Sequence, residues 1–213
     1  MLTQLNEALA LLHIALTDSQ KKSLLDYLVL FAKWNAAYNL SAIKDPQQML
    51  VKHLFDCLSV VKPIHAQLTH SLSTHGQNIL DVGSGGGLPG LVLAICLPHV
   101  NVTMLDAVQK KMTFVRQVVA ELGLANAQAH GGRVQDWQGE YPLITARAWT
   151  ALADIPTLAG HCLAPGGSIA AMKGPRLGLE SQTLPEGWRI NSVQDLVVPQ
   201  LHEARTLAFL VRS

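Results

Sequence analysis

The sequence predicts an α/β fold: a mostly parallel seven-stranded sheet with helices on both faces, preceded by a helical extension. Three observations lead there. From residue 77 onward, short apolar runs alternate with helical patterns, the rhythm of βαβ units. One junction in that rhythm is dense in glycine, with Gly83, Gly85, Gly86, Gly87 and Gly90 close together. The first seventy residues, by contrast, show helical spacing alone.

The elements follow in order. Leu5, Leu9, Leu12 and Leu16 recur at helical spacing, and Thr17 or Asp18 is an N-cap for a second helix carrying Leu24, Leu25, Leu28, Phe31 and Trp34. Residues 39–43 read as a connector. A third helix starts near Pro46, carries Met49, Leu50, His53, Leu54, Cys57, Leu58 and Val61, and is expected to end at Pro63. Residues 67–76, with Ser71, Ser73, Thr74 and Gly76, read as a linker. Residues 1–70 are therefore expected to form the extension and 71–213 the main domain. Within the latter, strands are predicted at 78–83, 100–105, 126–130, 141–146 and 167–172, and helices at 88–97, 108–122 and 150–162. Pro165-Gly166-Gly167 reads as a turn into the fifth strand. Residues 188–198 and 204–211 read as two antiparallel strands closing the sheet.

Composition fits one sizeable core. Hydrophobic residues make up 49% and charged residues 15% of the 213 residues. No apolar run approaches the roughly 20 residues of a membrane span, and no secretion signal is visible, so a cytoplasmic location is expected. Cys57, Cys96 and Cys162 are widely spaced in apolar surroundings and read as reduced thiols. The nine histidines are scattered, giving no metal site. A net charge of +1 neither demands nor excludes an RNA partner.

The glycine-rich segment, Ile79-Leu-Asp-Val-Gly-Ser-Gly-Gly-Gly-Leu-Pro-Gly90, reads as strand, loop and helix, with Pro89 in the first helical turn. Such a junction presents bare backbone to a nucleotide-type ligand at the carboxyl edge of a parallel sheet. The Gly-Lys-Ser/Thr ending of a phosphate loop is absent. Gly85, Gly87 and Gly90 satisfy a dinucleotide pattern, and Asp106 ends the next apolar run. Asp81, two residues before the first glycine, would repel a pyrophosphate but suit the sulfonium and ammonium of S-adenosylmethionine (SAM). Paired with Asp106, it gives the pattern of Rossmann-like class I SAM-dependent methyltransferases. The closing strand pair fits that fold as well.

Candidate cofactor residues are then Asp81, Gly83, Gly85, Gly87, Leu88, Asp106, Val134, Gln135 and Arg147. Asp106 can accept from ribose hydroxyls, and Val134 and Gln135 lie where an adenine would sit. Arg147 and Lys173 end the fourth and fifth strands, where a side chain meets both cofactor and acceptor. His53 and Asp56 are three apart and share a helix face, as a core hydrogen-bonded pair or as substrate contacts. No Asn/Asp-Pro-Pro-Tyr/Phe motif and no Pro-Cys pair occurs, so an acceptor attacking with its own lone pair fits best.

Several segments together resemble one family. Trp34-Asn35-x-x-Tyr38-Asn39-Leu40, Asp45-Pro46-x-x-Met49-Leu50-Val51-Lys52-His53-x-x-Asp56, Asp81 to Gly90, and Met172-Lys173-Gly174-Pro175 occur in order. They are similar to the bacterial ribosomal small-subunit guanine-N7 methyltransferases, also called glucose-inhibited division protein B. The resemblance implies SAM-dependent methylation of N7 of guanine 527, in the 530 loop of 16S rRNA. It also implies that Gly83, Leu88, the Val134-Gln135 backbone and Arg147 contact the cofactor or lie beside it. The family usually has Gly-Lys-Arg where this chain has Gln109-Lys110-Lys111, a serine at Ala146 and an acid at Gln135.

The expected chemistry is direct in-line transfer, with Arg147 and Lys173 orienting the acceptor. Asn39, His53, Lys33, Lys44, Lys52 and Lys111 are the candidate RNA contacts. The expected partner is 16S rRNA in a 30S subunit or an assembly intermediate, bound by a monomer. Three other readings share parts of this pattern. One is a small-molecule methyltransferase with an enclosed apolar pocket under the N-terminal helices; the others are an NAD(P) oxidoreductase and a non-catalytic RNA-binding protein.

Overall fold

The computed structural model describes residues 1–70, 76–174 and 184–213. Residues 71–75 of the expected linker, and Pro175, lie outside the described residues. α1 (Leu2–Leu11) buries Leu5, Ala8 and Leu9. α2 (Asp18–Tyr38) opens on a capping box: the Thr17 hydroxyl accepts from the Gln20 amide at 3.2 Å, and the Gln20 side chain accepts from the Thr17 amide at 2.9 Å. It closes at Asn39, whose left-handed φ of 51° ends the helix.

The expected third helix is a continuous helical run with a wider turn inside it: α3 (Pro46–Met49), a π-helical stretch (Leu50–Phe55) and α4 (Asp56–Leu58). Pro63 does not end it. The break falls earlier, at Ser59, and Pro63 sits in the first turn of α5 (Val61–His70). A proline there loses no helical hydrogen bond, since first-turn amides have no partner within the helix. Ile64 and Leu68 bury the face of α5, so residues 67–70 of the expected linker are helical.

Seven strands form one sheet: β1 (Asn78–Val82), β2 (Asn101–Asp106), β3 (Ala127–Gly131), β4 (Tyr141–Arg147), β5 (Leu163–Lys173), β6 (Trp188–Asp195) and β7 (Thr206–Arg212). Their order is β3-β2-β1-β4-β5-β7-β6, parallel through the first five and antiparallel at β7. The order reverses between β1 and β4, and the crevice that opens at their carboxyl ends is where such sheets bind ligands. Between the strands run α6 (Gly90–Cys96), α7 (Gln109–Glu121) and α8 (Asp154–Ala159). α6 starts two residues later than the expected 88–97, with Pro89 as its N-cap residue. α8 is likewise shorter than the expected 150–162. Pro165-Gly166-Gly167 is no turn before β5 but a bulge inside it. Leu163 pairs with Tyr141 and Ser168 with Leu143, so β5 carries extra residues there.

One apolar cluster spans the N-terminal helices and a face of the sheet, from Leu5 and Phe31 to Phe114 and Phe209. A second, on the opposite face, holds Leu80, Ile144, Leu152 and Leu210. Helices α1 and α2 thus bury their apolar stripes in the same core as the sheet. Among the described residues no helix is long and apolar enough to cross a membrane.

Candidate active site: a glycine-lined cleft and an adjoining charged groove

A cleft of about 510 Å³ lies at the carboxyl edge of the sheet, lined by Gly83, Asp106, Lys111, Val134, Gln135 and Trp149 among others. The chain reaches it through two left-handed glycines, Gly83 (φ 63°) and Gly85 (φ 58°). At Gly85 a Cβ would meet only the Gly83 carbonyl oxygen, at an ordinary 3.9 Å, so the backbone angle alone demands glycine. At Gly83 a Cβ would also overlap the Trp149 indole, which stands over the loop.

Asp106 shapes this cleft. Its Oδ2 accepts from the Gly85 amide at 2.9 Å and its Oδ1 from the Val108 amide at 2.8 Å. The carboxylate therefore fixes both the glycine loop and the entry to α7, and still borders the cleft. Val134 is buried against the second core, with its backbone at the cleft wall.

Asp81 is different. The sequence led us to expect a direct cofactor contact, but Asp81 is 0% exposed and does not line the cleft. Its Oδ2 accepts from the Gly90 amide at 3.0 Å and its Oδ1 from the Thr145 hydroxyl at 2.8 Å. Burial pushes its carboxyl up to about 7 against both hydrogen bonds. It braces β1, β4 and α6 from beneath. Gly87 (φ 86°) packs toward Leu91, and Leu88 is buried in the core; neither lines the cleft.

Beside the cleft runs a groove of about 460 Å³, lined by Lys52, His53, Asp56, Arg147, Lys173 and Arg205 with apolar Ile43, Met172 and Leu196. Ala148, in a left-handed conformation (φ 49°), borders both spaces. Arg147 lies beside the glycine-lined cleft and not in its wall. Its guanidinium turns into the groove, where Nη1 lies 3.3 Å from Asp56 Oδ2 and 3.5 Å from the Lys52 carbonyl. Arg205, from the segment before β7, places Nε 3.3 Å from Asp56 Oδ1 and Nη2 3.0 Å from Glu203. Burial pushes the Asp56 carboxyl up, and the two arginines pull it back. Lys173 donates to the Thr150 carbonyl at 2.8 Å.

His53 and Asp56 do not bond to each other. The π-helical turn carries His53 toward the connector, where its Nε2 lies 2.9 Å from the Ser41 hydroxyl and its Nδ1 3.2 Å from the Lys52 carbonyl. Burial, aided by the Arg147 charge, lowers its pKa to about 4, so it is neutral at neutral pH. Of the other expected RNA contacts, Lys33, Lys44 and Asn39 are exposed on the N-terminal side, while Lys111 borders the cofactor cleft. Lys52 is paired with Glu203 at 3.1 Å. The structure thus brings Gly83, Asp106, Lys111, Val134 and Gln135 into one cleft, and Lys52, His53, Arg147 and Lys173 into the neighbouring groove.

Sequence reasoning missed Trp149, Thr145, Asn35 and Arg205. Asn35 holds the connector by donating to the Ile43 carbonyl (2.8 Å) and accepting from the Ser41 amide (2.7 Å). Its place in the Trp-Asn-x-x-Tyr-Asn-Leu segment was the available signal. Arg205 stands far along the chain from its partner, and nothing local marks it.

The sequence profile of the family described as rRNA small subunit methyltransferase G matches residues 20–208. The chain belongs to this family. Among similar family members, proteins named ribosomal RNA small subunit methyltransferase G from Ralstonia nicotianae and Burkholderia thailandensis are 50% and 49% identical to it. The alignments run over 205 and 209 residues, covering 95% of this chain in each case and 91% and 88% of the relatives. Solved structures share the fold at low identity. TrmN from Thermus thermophilus superposes with a TM-score of 0.57 at 20% identity, covering 75% of this chain and 52% of that one. A SAM-dependent methyltransferase from Aquifex aeolicus gives 0.55 at 16%, covering 78% and 94%. A tRNA (uracil-54, C5)-methyltransferase from Pyrococcus abyssi, solved with S-adenosyl-L-homocysteine, gives 0.52 at 17%, covering 73% and 38%. Membership of this family makes the chain an rRNA methyltransferase, and its fold is that of SAM-dependent methyltransferases.

Proposed function

We propose that the protein methylates N7 of guanine 527 in 16S rRNA by direct transfer from SAM. The observation that carries this reading is the pair of adjoining spaces that share Ala148: one lined by glycine backbone and Asp106, the other by Arg147, Asp56 and Lys173. The first fits SAM. Two left-handed glycines keep the loop free of side chains, Asp106 offers a carboxylate to ribose hydroxyls, and Val134 with Gln135 stands where the adenine would lie. The family likeness covers nearly the whole chain and supports ribosomal RNA as the acceptor.

When bound, SAM supplies an electrophilic methyl group on a sulfonium. Guanine N7 offers a lone pair and carries no proton, so no general base is needed. His53 accords with that, since a pKa lowered to about 4 makes it a weak base. What remains for the protein is alignment, which alone can contribute about 7–11 kcal/mol to lowering a barrier. Arg147 holds the acceptor base and Lys173 the adjacent phosphate, both at strand ends fixed by the sheet. Transfer leaves positive charge on the purine, and Asp56 and the carbonyls around the groove favour that charge.

Lys33, Lys44 and Lys52 extend the acceptor side into a phosphate-binding rim, with Lys52 exchanging Glu203 for a phosphate. We place the reaction in the cytoplasm, on a 30S subunit or an assembly intermediate, with the enzyme as a monomer. The groove beside the cleft is charged rather than an enclosed apolar pocket, which favours RNA over a small-molecule acceptor. The test is transfer from labelled SAM to subunits lacking N7 methylation of the 530 loop, with the product mapped by chain cleavage at 7-methylguanine. Label at guanine 527 is the expected result. Label elsewhere, or none from an enzyme that binds SAM, overturns the assignment of the acceptor.

A further inference from the structure

Among the described residues Nε of Arg147 is buried in the groove without a hydrogen-bond partner, and Oδ1 of Asp56 has only the Arg205 guanidinium beside it. Buried polar atoms are almost always partnered, so such atoms beside an open groove mark where a ligand would bond. One is an acceptor and the other a donor. Their side chains are joined at 3.3 Å between Asp56 Oδ2 and Arg147 Nη1, and both residues line the groove. Arg205 Nε stands 3.3 Å from Asp56 Oδ1 and pairs with it by charge. Arg205 has further partners in Glu203 and the Ala204 carbonyl, each at 3.0 Å, so it can leave Oδ1 and stay bound.

We infer that Asp56 and Arg147 form a subsite that reads the guanine base by its hydrogen-bonding edge. This rests on the reading that guanine is the acceptor. Asp56 Oδ1 accepts from N1–H and the exocyclic N2 amine, and Arg147 Nε donates to O6. Guanine presents a donor at N1 next to an acceptor at O6. Adenine presents the reverse, an acceptor at N1 next to a donor at N6, and would set acceptor against acceptor and donor against donor. The order of the groups also matches. Asp56, Arg147 and Ala148 lead from the groove to the cofactor cleft, and N1, O6 and N7 follow in that order around the purine. Placing O6 at Arg147 therefore turns N7 toward Ala148 and the methyl donor. The base takes the position of the Arg205 guanidinium, which withdraws onto Glu203.

The experiment compares guanosine with inosine at the target position in 30S particles reconstituted from ligated 16S rRNA. Inosine keeps N1–H, O6 and N7 but lacks the N2 amine. In the wild-type enzyme kcat/KM should fall about 10- to 100-fold on inosine, the cost of leaving a charged acceptor short of a donor. Asp56→Asn should lower kcat/KM on guanosine and bring the guanosine-to-inosine ratio close to unity, while its affinity for SAM, measured by calorimetry, stays that of the wild type. Equal rates on guanosine and inosine in the wild type would overturn the subsite and leave N7 methylation standing. A wild-type ratio retained by Asp56→Asn would overturn it too. Absence of transfer to guanosine at that position would instead remove the acceptor assignment itself, and the subsite with it. The wild-type ratio needs no variant, so an Asp56→Asn chain that fails to fold leaves the test intact.

Discussion

Oδ2 of Asp81 accepts from the Gly90 amide at 3.0 Å, which ties the end of β1 to the first residue of α6 under the glycine loop. The acid is fully enclosed, so the loop is shaped by a carboxylate that does not reach the cleft surface. Asp81→Ala frees a buried amide and the Thr145 hydroxyl together, and should cost about 2–4 kcal/mol in denaturant unfolding. Asp81→Asn, which keeps the shape and one acceptor, should cost less. Equal losses in the two variants would contradict the bracing role.

Asp106 makes two backbone hydrogen bonds and borders the cleft at once, so its removal should be read in two measurements. Asp106→Ala should weaken SAM binding by about 10-fold or more, as the loss of a charged acceptor for hydroxyls implies. Its unfolding free energy should fall by only about 1 kcal/mol, since the freed amides border solvent. Unchanged SAM affinity would take the ribose away from this residue.

Gly86 has an ordinary φ, yet a Cβ there would run into the Phe31 ring of α2. Gly86→Ala should therefore destabilise by about 1–3 kcal/mol through overpacking. Phe31→Leu in the same chain should recover part of that loss, a coupling that calorimetric unfolding of the single and double variants can measure.

His53 gives a pH dependence with a definite sign. Its pKa falls from 6.5 unfolded to about 4 folded, because it is buried among the Phe31 ring, Ser41 and the Lys52 carbonyl with the Arg147 charge nearby. The folded state thus binds fewer protons between those values. The contribution is present above pH 6.5 and lost as pH falls toward 4, by at most about 3 kcal/mol. His53→Gln should flatten that part of the stability curve. A variant that follows the wild type through pH 6.5 to 4 would refute the buried neutral state.

Exposed Lys33 and Lys44 are the phosphate contacts least tied to the protein. Replacing either by alanine should lower the slope of log K against log salt for the ribosomal particle by about 1. Binding that keeps the wild-type slope in both variants would move the RNA elsewhere.

The βαβ rhythm and the glycine loop were legible because they are local: spacing, turn chemistry and a strand-ending acid lie within a short window. Asp106 and Gly83 accordingly line the cleft at the carboxyl edge of the sheet. Asp81 was misread because spacing places a residue at a strand end but cannot say which way its carboxylate turns or whether Thr145, sixty-four residues on, closes over it. The direction of the Arg147 side chain was equally out of reach, since Asp56 sets it from across the fold. The helix through His53 and Asp56 was expected to be regular, and its π-helical turn, invisible to periodicity, sent the two side chains to different partners. Pro63 was read as a stop, although a proline is equally at home in a first turn.

The division into a donor cleft and an acceptor groove is tested most directly by a crystal structure of the enzyme with S-adenosyl-L-homocysteine bound. The arrangement predicts the ribose hydroxyls on Asp106, the adenine beside Val134 and Gln135, and no part of the adenosyl group in the groove lined by Asp56, Arg147 and Arg205. An adenosyl group found in the groove instead, with the glycine-lined cleft empty, would contradict it.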